Sequence, residues 1–169
     1  MTSTDAVPAV VLTISDRSST GARADRSGTL LATLLREAGY AVDAPVVVPD
    51  GRESVRDALH AAIADGARLV VTTGGTGVSP RDFTPEGTLD VVTREMHGVA
   101  EELRRHGSGY TPLACLSRGV VGVVDHADPV RTGTLVVNLP GSTRGVEQGM
   151  ERLVPLLPHI LEQIVGWDH

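Results

Sequence analysis

The sequence predicts an α/β fold with three layers, α/β/α, in which helices cover both faces of a mainly parallel central sheet. Short runs rich in β-branched residues alternate with amphipathic stretches through the first half of the chain, in the order strand, helix, strand, helix, strand, helix. The strand runs at 9–14 and 69–73 are apolar almost without interruption, which is typical of parallel strands covered on both faces.

The chain before the first helix divides into a tail, a strand and a loop. Residues 1–8 are mostly polar and end in proline, so we expect a flexible tail, and residues 9–166 then form one domain. A polar loop at 15–21 follows the first strand. Asp25 or Ser27 can cap the next helix, which carries a stripe of leucines on one side.

The second strand is predicted at 41–48, and the turn Pro49-Asp50-Gly51 ends it. The helix after this turn carries apolar residues at helical spacing and closes at Gly66. The strand at 69–73 comes third along the chain.

A glycine-rich loop follows this third strand directly, at Gly74-Gly75-Thr76-Gly77. Three glycines in four residues allow positive φ angles and inward-facing amides, a geometry that binds anions such as phosphate. Asp82 follows within one loop's length, and a carboxylate beside a phosphate cradle indicates a divalent metal ion. A tight turn without a ligand is the alternative interpretation of a glycine cluster. The chain contains no lysine, so this loop is not a Walker A motif.

A helix start follows the loop at Thr84-Pro85-Glu86, with threonine as the N-cap, proline at the first helical position and an acid in the first turn. This helix is predicted to continue to Met96. Gly98 then interrupts the pattern, and residues 99–106 form a further helix.

Two more strands are predicted in the second half of the chain, at 120–124 and 134–137, with a polar loop at 125–132 between them. The later strand ends at Asn138-Leu139-Pro140-Gly141-Ser142, where Ser142 or Thr143 caps the last long helix. This second junction of loop and helix points free amides outward, so it also suits an anion.

Composition excludes several classes of function. The net charge of −6 argues against a nucleic-acid partner, and the single cysteine, Cys115, excludes an intramolecular disulfide and a cysteine-rich zinc site. We expect Cys115 to be a small buried hydrophobe. No apolar run approaches the ~20 residues that span a bilayer, and no signal-peptide pattern begins the chain. We therefore expect a soluble, cytoplasmic protein without a membrane partner.

Hydroxyls, glycine-rich loops and aspartates are expected to meet at one edge of the sheet, because ligands bind beyond the carboxyl ends of parallel strands. That set suits phosphate chemistry with Mg²⁺, which takes one or two carboxylates and completes its shell with water and phosphate oxygens. Asp50 and Asp82 are the candidate pair, and they would neutralise the charge that develops when pyrophosphate leaves. On local grounds Asp50 is as readily a turn residue, and Asp16 a helix or turn cap.

The glycine loop and its surroundings resemble a known family. The matching motifs are Thr72-Thr73-Gly74-Gly75-Thr76-Gly77 with Pro80-Arg81-Asp82 and Thr84-Pro85-Glu86, Ser15-Asp16 with Asp25-Arg26-Ser27-Gly28, Leu116-Ser117-Arg118-Gly119, and Asn138-Leu139-Pro140-Gly141-Ser142. In this combination and order they resemble the signature of the MogA/MoaB family of molybdenum cofactor biosynthesis, which is related to the G domain of gephyrin.

The resemblance implies an α/β/α homotrimer that transfers AMP from ATP to molybdopterin with Mg²⁺, giving adenylyl-molybdopterin and pyrophosphate. The family's two essential aspartates, the expected Mg²⁺ ligands, fall on Asp50 and Asp82. Its nucleotide- and phosphate-binding positions fall on Gly74, Gly75, Thr76, Gly77, Pro140, Gly141 and Ser142. Its pterin-side positions fall on Ser117 and Arg118, with Ser15 and Asp16 nearby. A MoeA-like molybdenum insertase would receive the product. The alternative is a MoaB-like trimer that binds molybdopterin and nucleotide without catalysis.

Overall fold

The computed structural model describes residues 6–21, 24–127 and 133–166. Within these ranges seven strands form one sheet, in the order β2-β1-β4-β7-β6-β5, and β3 pairs with β1 beside β2. The strands are β1 (Pro8–Ile14), β2 (Ala41–Val42), β3 (Val46–Val48), β4 (Leu69–Thr73), β5 (Arg94–Glu95), β6 (Val121–Asp125) and β7 (Gly133–Leu139). The central strands β1, β4 and β7 are parallel, whereas β6 runs antiparallel to both β7 and β5. The predicted mainly parallel sheet is therefore confirmed.

Helices lie on both faces of this sheet. They are α1 (Asp16–Ser19), α2 (Arg26–Glu37), α3 (Arg52–Ala64), α4 (Thr84–Leu89), α5 (His97–Ser108), α6 (Thr143–Leu153) and α7 (Leu157–Ile164), with a 3₁₀ turn at Pro112–Leu116. Among the described residues, none of these helices combines the length and the apolar character needed to cross a membrane.

The core consists of two clusters, one on each face of the sheet. Alternate side chains of β4 separate them, because successive residues of a strand point to opposite faces: Val71 joins one cluster and Val70 the other. The first cluster contains the buried residues of α2, α5, α6 and α7, and the second contains those of α3. The predicted three-layer arrangement is confirmed by this division.

The structure corrects three of the predicted elements. The strand expected at 41–48 is two short strands, because Pro45 has no N–H to continue the ladder beside β1. The predicted loop at 15–21 contains the short helix α1. The expected tail at 1–8 meets the sheet at its end, since Pro8 pairs with Ala41; residues 1–5, and residues 128–132 of the predicted loop at 125–132, lie outside the described residues.

The second group of corrections concerns the region after the glycine loop. The helix predicted to run to Met96 ends at Leu89, because Arg94 and Glu95 instead pair with β6. Gly98 does not interrupt a helix but lies in the first turn of α5. Cys115 is exposed in the 3₁₀ turn and is not the buried residue that was expected.

Glu102 joins α5 to α6 and gives a test of the fold that depends on pH. Its carboxylate accepts hydrogen bonds from Arg105 and from Arg152 of α6, and these bonds lower its pKa to about 2. A lowered pKa in the folded state stabilises the fold above the ordinary value of 4.5, and the stabilisation disappears as pH falls towards 2. We expect Glu102→Gln to lower the free energy of unfolding at pH 7, by an amount that shrinks between pH 4.5 and pH 2.

Urea unfolding of both proteins at several pH values measures this difference. The control is Glu101→Gln, since Glu101 makes no ion pair with any residue in the described part of the chain. A difference between wild type and Glu102→Gln that stays constant from pH 7 to pH 2 would contradict the ion-pair explanation.

Candidate functional site

The carboxyl ends of β1, β3, β4 and β7 meet at one edge of the sheet, and the loops after them enclose a cavity of about 370 Å³, here called the site cavity. It is lined by Thr13, Ile14, Ser15, Ser18, Ala24, Asp25, Arg26, Ser27, Asp50, Thr73, Gly74, Gly75, Asp82, Gly141, Ser142 and Thr143. The loop after β1, the turn at Asp50, the glycine loop with Asp82 and the loop before α6 all contribute to the lining. Its polar character comes from hydroxyls, carboxylates and backbone groups of these loops.

The glycine loop turns away from β4 through two positive φ angles, 103° at Gly74 and 63° at Gly75. The Gly74 amide donates to the carbonyl of Leu139 at the end of β7 (3.1 Å). A Cβ on Gly141 would lie 3.1 Å from the Gly74 Cα, so the two glycine-containing loops touch. Thr73 strengthens this contact, since its hydroxyl donates to the Pro140 carbonyl (2.8 Å).

Thr84 has a different role from the predicted one. It is the first residue of α4 rather than the N-cap, which is Phe83 and makes no capping bond through its side chain. The Thr84 hydroxyl instead donates to the Gly74 carbonyl (2.9 Å), and its amide donates to the Gly75 carbonyl (3.1 Å). The prediction of a capping threonine is therefore wrong, because the hydroxyl is used to hold the glycine loop against α4.

Asp50 and Asp82 come from different loops, and each lies beside a different glycine of the glycine loop. A Cβ on Gly75 would lie 3.2 Å from Asp50 Oδ1, and a Cβ on Gly77 would lie 2.8 Å from Asp82 Oδ2. Both aspartates line the site cavity. Asp82 Oδ2 accepts a hydrogen bond from the Ser79 amide (2.9 Å), which fixes the turn that carries it.

Asp50 is locked to Asp16 by two reciprocal hydrogen bonds. The Asp16 amide donates to Asp50 Oδ2 (2.9 Å), and the Asp50 amide donates to Asp16 Oδ1 (3.0 Å). Arg81 completes the arrangement, because its Nε donates to Asp16 Oδ2 (2.5 Å) and its Nη2 to the Asp50 carbonyl (3.3 Å). Asp16 lies in the first turn of α1, where Ser15 is the N-cap. Its bonds connect three loops: its own loop after β1, the turn at Asp50 and the loop that carries Arg81.

The environments of these carboxylates move their pKa values in opposite directions. Burial raises the pKa of Asp50 above its usual value, and the neighbouring charges of Asp16 and Asp82 add to the effect. The hydrogen bond from Arg81 lowers the pKa of Asp16. Asp16 thus has its negative charge balanced by an arginine, whereas Asp50 faces a second carboxylate across the loop. Such a pair of acids attracts a cation.

The donor set fits Mg²⁺. Asp50 Oδ1 receives no hydrogen bond from any described residue, so it is available as a ligand, and Asp82 contributes a second carboxylate beside the same loop. Within the described ranges no group of three or more His, Cys, Asp or Glu residues could hold a metal ion. Two carboxylates without histidine or thiolate suit Mg²⁺, which prefers oxygen ligands and completes its shell with water and phosphate.

Seven of the predicted site residues line the site cavity, and six do not. The seven are Ser15, Asp50, Gly74, Gly75, Asp82, Gly141 and Ser142, and the six are Asp16, Thr76, Gly77, Ser117, Arg118 and Pro140. Ser117 and Pro140 line a second cavity of about 50 Å³ between α5, α6 and the end of β7. Arg118 points its guanidinium at the backbone behind the glycine loop.

Sequence reasoning missed Thr13, which lines the site cavity from the end of β1. Its hydroxyl donates to Asp25 Oδ2 (2.7 Å), while Asp25 Oδ1 accepts from the Gly28 amide (2.8 Å) as the N-cap of α2. The prediction of Asp25 as a cap is thereby confirmed. The signal for Thr13 was a hydroxyl near the end of an otherwise apolar strand.

Comparison with known families gives a match over most of the chain. Residues 10–159 match the family described as "Probable molybdopterin binding domain". The chain is 38% identical over 161 residues to a molybdenum cofactor biosynthesis bifunctional protein of Synechococcus elongatus, covering 95% of this chain and 48% of that protein. It thus spans about half the length of this relative.

A second relative matches over most of its own length. It is the molybdopterin adenylyltransferase of Helicobacter pylori, 34% identical over 162 residues, covering 92% of this chain and 86% of that protein. Among solved structures, the tungsten cofactor synthesizing protein MoaB of Pyrococcus furiosus superimposes with a TM-score of 0.87 at 31% identity. That superposition covers 95% of this chain and 98% of the other.

Proposed function

This chain belongs to the molybdopterin-binding family that matches residues 10–159, and we propose that it transfers AMP from ATP to molybdopterin, giving adenylyl-molybdopterin and pyrophosphate, with Mg²⁺ as its metal. The observation that carries this proposal is the pair of carboxylates, Asp50 and Asp82, that flank a positive-φ glycine loop within one cavity. A relative named molybdopterin adenylyltransferase matches nearly all of this chain, which supports the same reaction.

The phosphates of ATP would lie between the glycine loop and the second loop, residues 140–142. Positive φ at Gly74 and Gly75 turns the backbone of the glycine loop, a conformation that presents amides to an anion, and the amides concerned are those after Gly74, since the Gly74 amide is bonded to the Leu139 carbonyl. Ser142 caps α6 by accepting a hydrogen bond from the Gly145 amide (3.0 Å), and the first turn of that helix faces the cavity with its positive dipole end. Two amide-presenting surfaces in contact suit a chain of linked phosphates better than a single phosphate.

Asp50 and Asp82 would hold the metal, and Asp16 would keep Asp50 in position through the reciprocal bonds described above. When bound, Mg²⁺ would supply neutralisation of the charge that develops on the leaving pyrophosphate. The chain's own contribution is to place the α-phosphate near the acceptor and to hold the two acids beside the glycine loop.

The pterin would approach from the side of Ser15 and Ser117. Ser15 lines the site cavity, and Ser117 lines the smaller cavity together with Pro140, the residue before Gly141 of the site cavity, so a substrate with a ring system and a phosphate could extend from one to the other. A homotrimer, a cytoplasmic location and transfer of the product to a MoeA-like insertase belong to this proposal as well.

The decisive experiment mixes the purified protein with molybdopterin, ATP and Mg²⁺ and detects the product by mass spectrometry. We expect adenylyl-molybdopterin and pyrophosphate in equal amounts, and neither after EDTA treatment. Molybdopterin binding without any product would overturn the proposal and favour the alternative of a non-catalytic binding protein. Absence of molybdopterin binding would exclude both functions.

Asp50 also gives a prediction that does not depend on turnover. Because burial raises its pKa, ionised Asp50 is less favourable in the folded protein than in the unfolded chain. Asp50→Asn should therefore unfold at a higher temperature than wild type at pH 7 in EDTA, since an asparagine oxygen still accepts from the Asp16 amide. The gain should vanish as pH falls below the usual value of 3.8, where both states are protonated.

Adding Mg²⁺ in the same thermal unfolding experiment separates the metal site from general charge effects. The metal should raise the unfolding temperature of wild type and have much less effect on Asp50→Asn, because a ligand that binds only the folded state stabilises it. Equal stabilisation of both proteins by Mg²⁺ would contradict a role of Asp50 as its ligand.

A further inference from the structure

Arg118 makes four hydrogen bonds to the segment that runs from the glycine loop into α4, at residues 76, 77, 82 and 86. Its backbone amide donates to the Thr76 carbonyl (2.8 Å). In the side chain, Nε donates to the Gly77 carbonyl (2.8 Å) and Nη2 to the Asp82 carbonyl (2.6 Å). Nη1 donates to Glu86 in the first turn of α4. A residue between the 3₁₀ turn and β6 thus reaches the whole segment from 76 to 86.

This segment needs an external support because it contains no regular secondary structure between β4 and α4. Its own bonds are few: the Asp82 amide donates to the Ser79 carbonyl (3.0 Å), and the Ser79 amide donates to the Asp82 carboxylate. Both bonds are local and fix only the turn itself. The two carbonyls held by Arg118, at Gly77 and Asp82, lie at the two ends of that turn. Arg81 of the same turn also donates to Asp16 and to the Asp50 carbonyl, so Arg118 and Arg81 together fix where the turn stands relative to the sheet.

Arg118 forms its ion pair with Glu86 and not with the carboxylate of Asp82. The guanidinium of Arg118 pairs with Glu86, and the second oxygen of Glu86 is buried without a partner among the described residues. Towards Asp82, Arg118 donates only to the backbone carbonyl and not to the carboxylate. The carboxylate of Asp82 lines the site cavity, while the carbonyl of the same residue accepts from Arg118.

We infer that Arg118 is a positioning residue that holds the Asp82 carboxylate at the metal site, and this inference rests on the metal site of the proposed function but not on the identity of the reaction. All three guanidinium nitrogens donate to groups of the protein, and the bond to the Asp82 carbonyl is the one through which Arg118 acts on the metal site. A planar guanidinium fork with three donors in fixed directions makes this set of bonds, and a lysine ammonium cannot reproduce it.

The test replaces Arg118 with lysine, which keeps the charge but not the fork. The readout is binding of Mn²⁺ alone, titrated through the electron paramagnetic resonance signal of the free ion, with molybdopterin binding measured separately. Loss of a residue that orients a metal ligand typically weakens metal affinity by about 10- to 100-fold. We expect that weakening for Arg118→Lys, with the Kd of molybdopterin changed less than about twofold.

The matched control is Arg94→Lys, because Arg94 also makes a two-bond pair, with Asp125, but lies on β5 away from the site cavity. It should bind Mn²⁺ as wild type does. Should Arg118→Lys fail to fold, Glu86→Gln takes its place, since it removes the acid that orients the guanidinium and so loosens the bonds to the Gly77 and Asp82 carbonyls. A loss of Mn²⁺ affinity in Glu86→Gln supports the positioning role, and an unchanged affinity overturns it.

The outcomes also separate this inference from the proposed function. A wild-type protein that binds Mn²⁺, loses the metal in Arg118→Lys and yet makes no adenylyl-molybdopterin would refute the reaction and leave the positioning role standing. Unchanged Mn²⁺ affinity together with weaker molybdopterin binding would overturn the inference and identify Arg118 as a pterin contact. Failure of wild type to bind Mn²⁺ would overturn it as well.

Discussion

Replacing Asp82 with asparagine is expected to lower the rate of adenylyl-molybdopterin formation by roughly 100- to 1,000-fold, the loss that follows removal of one group that stabilises charge in a transition state. The substitution removes half of the acidic pair while preserving size and shape. An asparagine oxygen still accepts the hydrogen bond of the Ser79 amide, so the turn should keep its conformation. The measurement is the initial rate of product formation at saturating ATP, molybdopterin and Mg²⁺.

The control for this variant is Asp57→Asn. Asp57 is an exposed residue of α3 whose one ion-pair partner among the described residues is its neighbour Arg56, so its loss should leave the rate near that of wild type. Thermal unfolding and molybdopterin binding of Asp82→Asn should also match wild type, which would show that the fold and the pterin side are intact. Full activity in Asp82→Asn would refute the metal role of this aspartate.

The sequence made the glycine loop and both aspartates visible because each follows the end of a predicted buried strand. Parallel strands place their carboxyl ends together, so the proximity of Asp50 and Asp82 could be inferred without coordinates. The same logic could not reveal the bonds of Asp16 to Arg81 or of Arg118 to the loop. Those contacts join residues far apart in the chain through side-chain geometry, which neither periodicity nor spacing encodes.

The errors in the predicted elements have the same origin. Residues 90–96 have an apolar pattern that suits a helix. Arg94 and Glu95 nevertheless pair with the outer edge of β6, and this pairing outweighs the local preference for helix. Thr84 carries the expected capping residue type, yet its hydroxyl serves the Gly74 carbonyl instead. Tertiary contacts decide between two local options in both cases, and only one option is visible in the sequence.

Replacing Gly74 with alanine is expected to reduce the free energy of unfolding by about 3–5 kcal/mol, the sum of backbone strain and overpacking. The φ angle of Gly74 is 103°, a conformation that a residue with a Cβ rarely adopts. The added methyl group would lie 2.3 Å from the carbonyl oxygen of Ile14, at the buried end of β1. That oxygen belongs to the backbone of a central strand, so it cannot move aside as a flexible side chain could.

Gly98→Ala separates this effect from the general consequences of replacing a glycine. Gly98 lies in the first turn of α5, and a Cβ there would meet nothing within 4 Å. Alanine also favours a helix over glycine, so the control should be neutral or more stable by up to about 1 kcal/mol. Urea unfolding of the two variants and wild type measures both values. If Gly74→Ala were as stable as Gly98→Ala, the glycine loop would be able to shift away from β1. The close contact between Gly74 and Ile14 would then not determine the position of the loop beside Asp50 and Asp82.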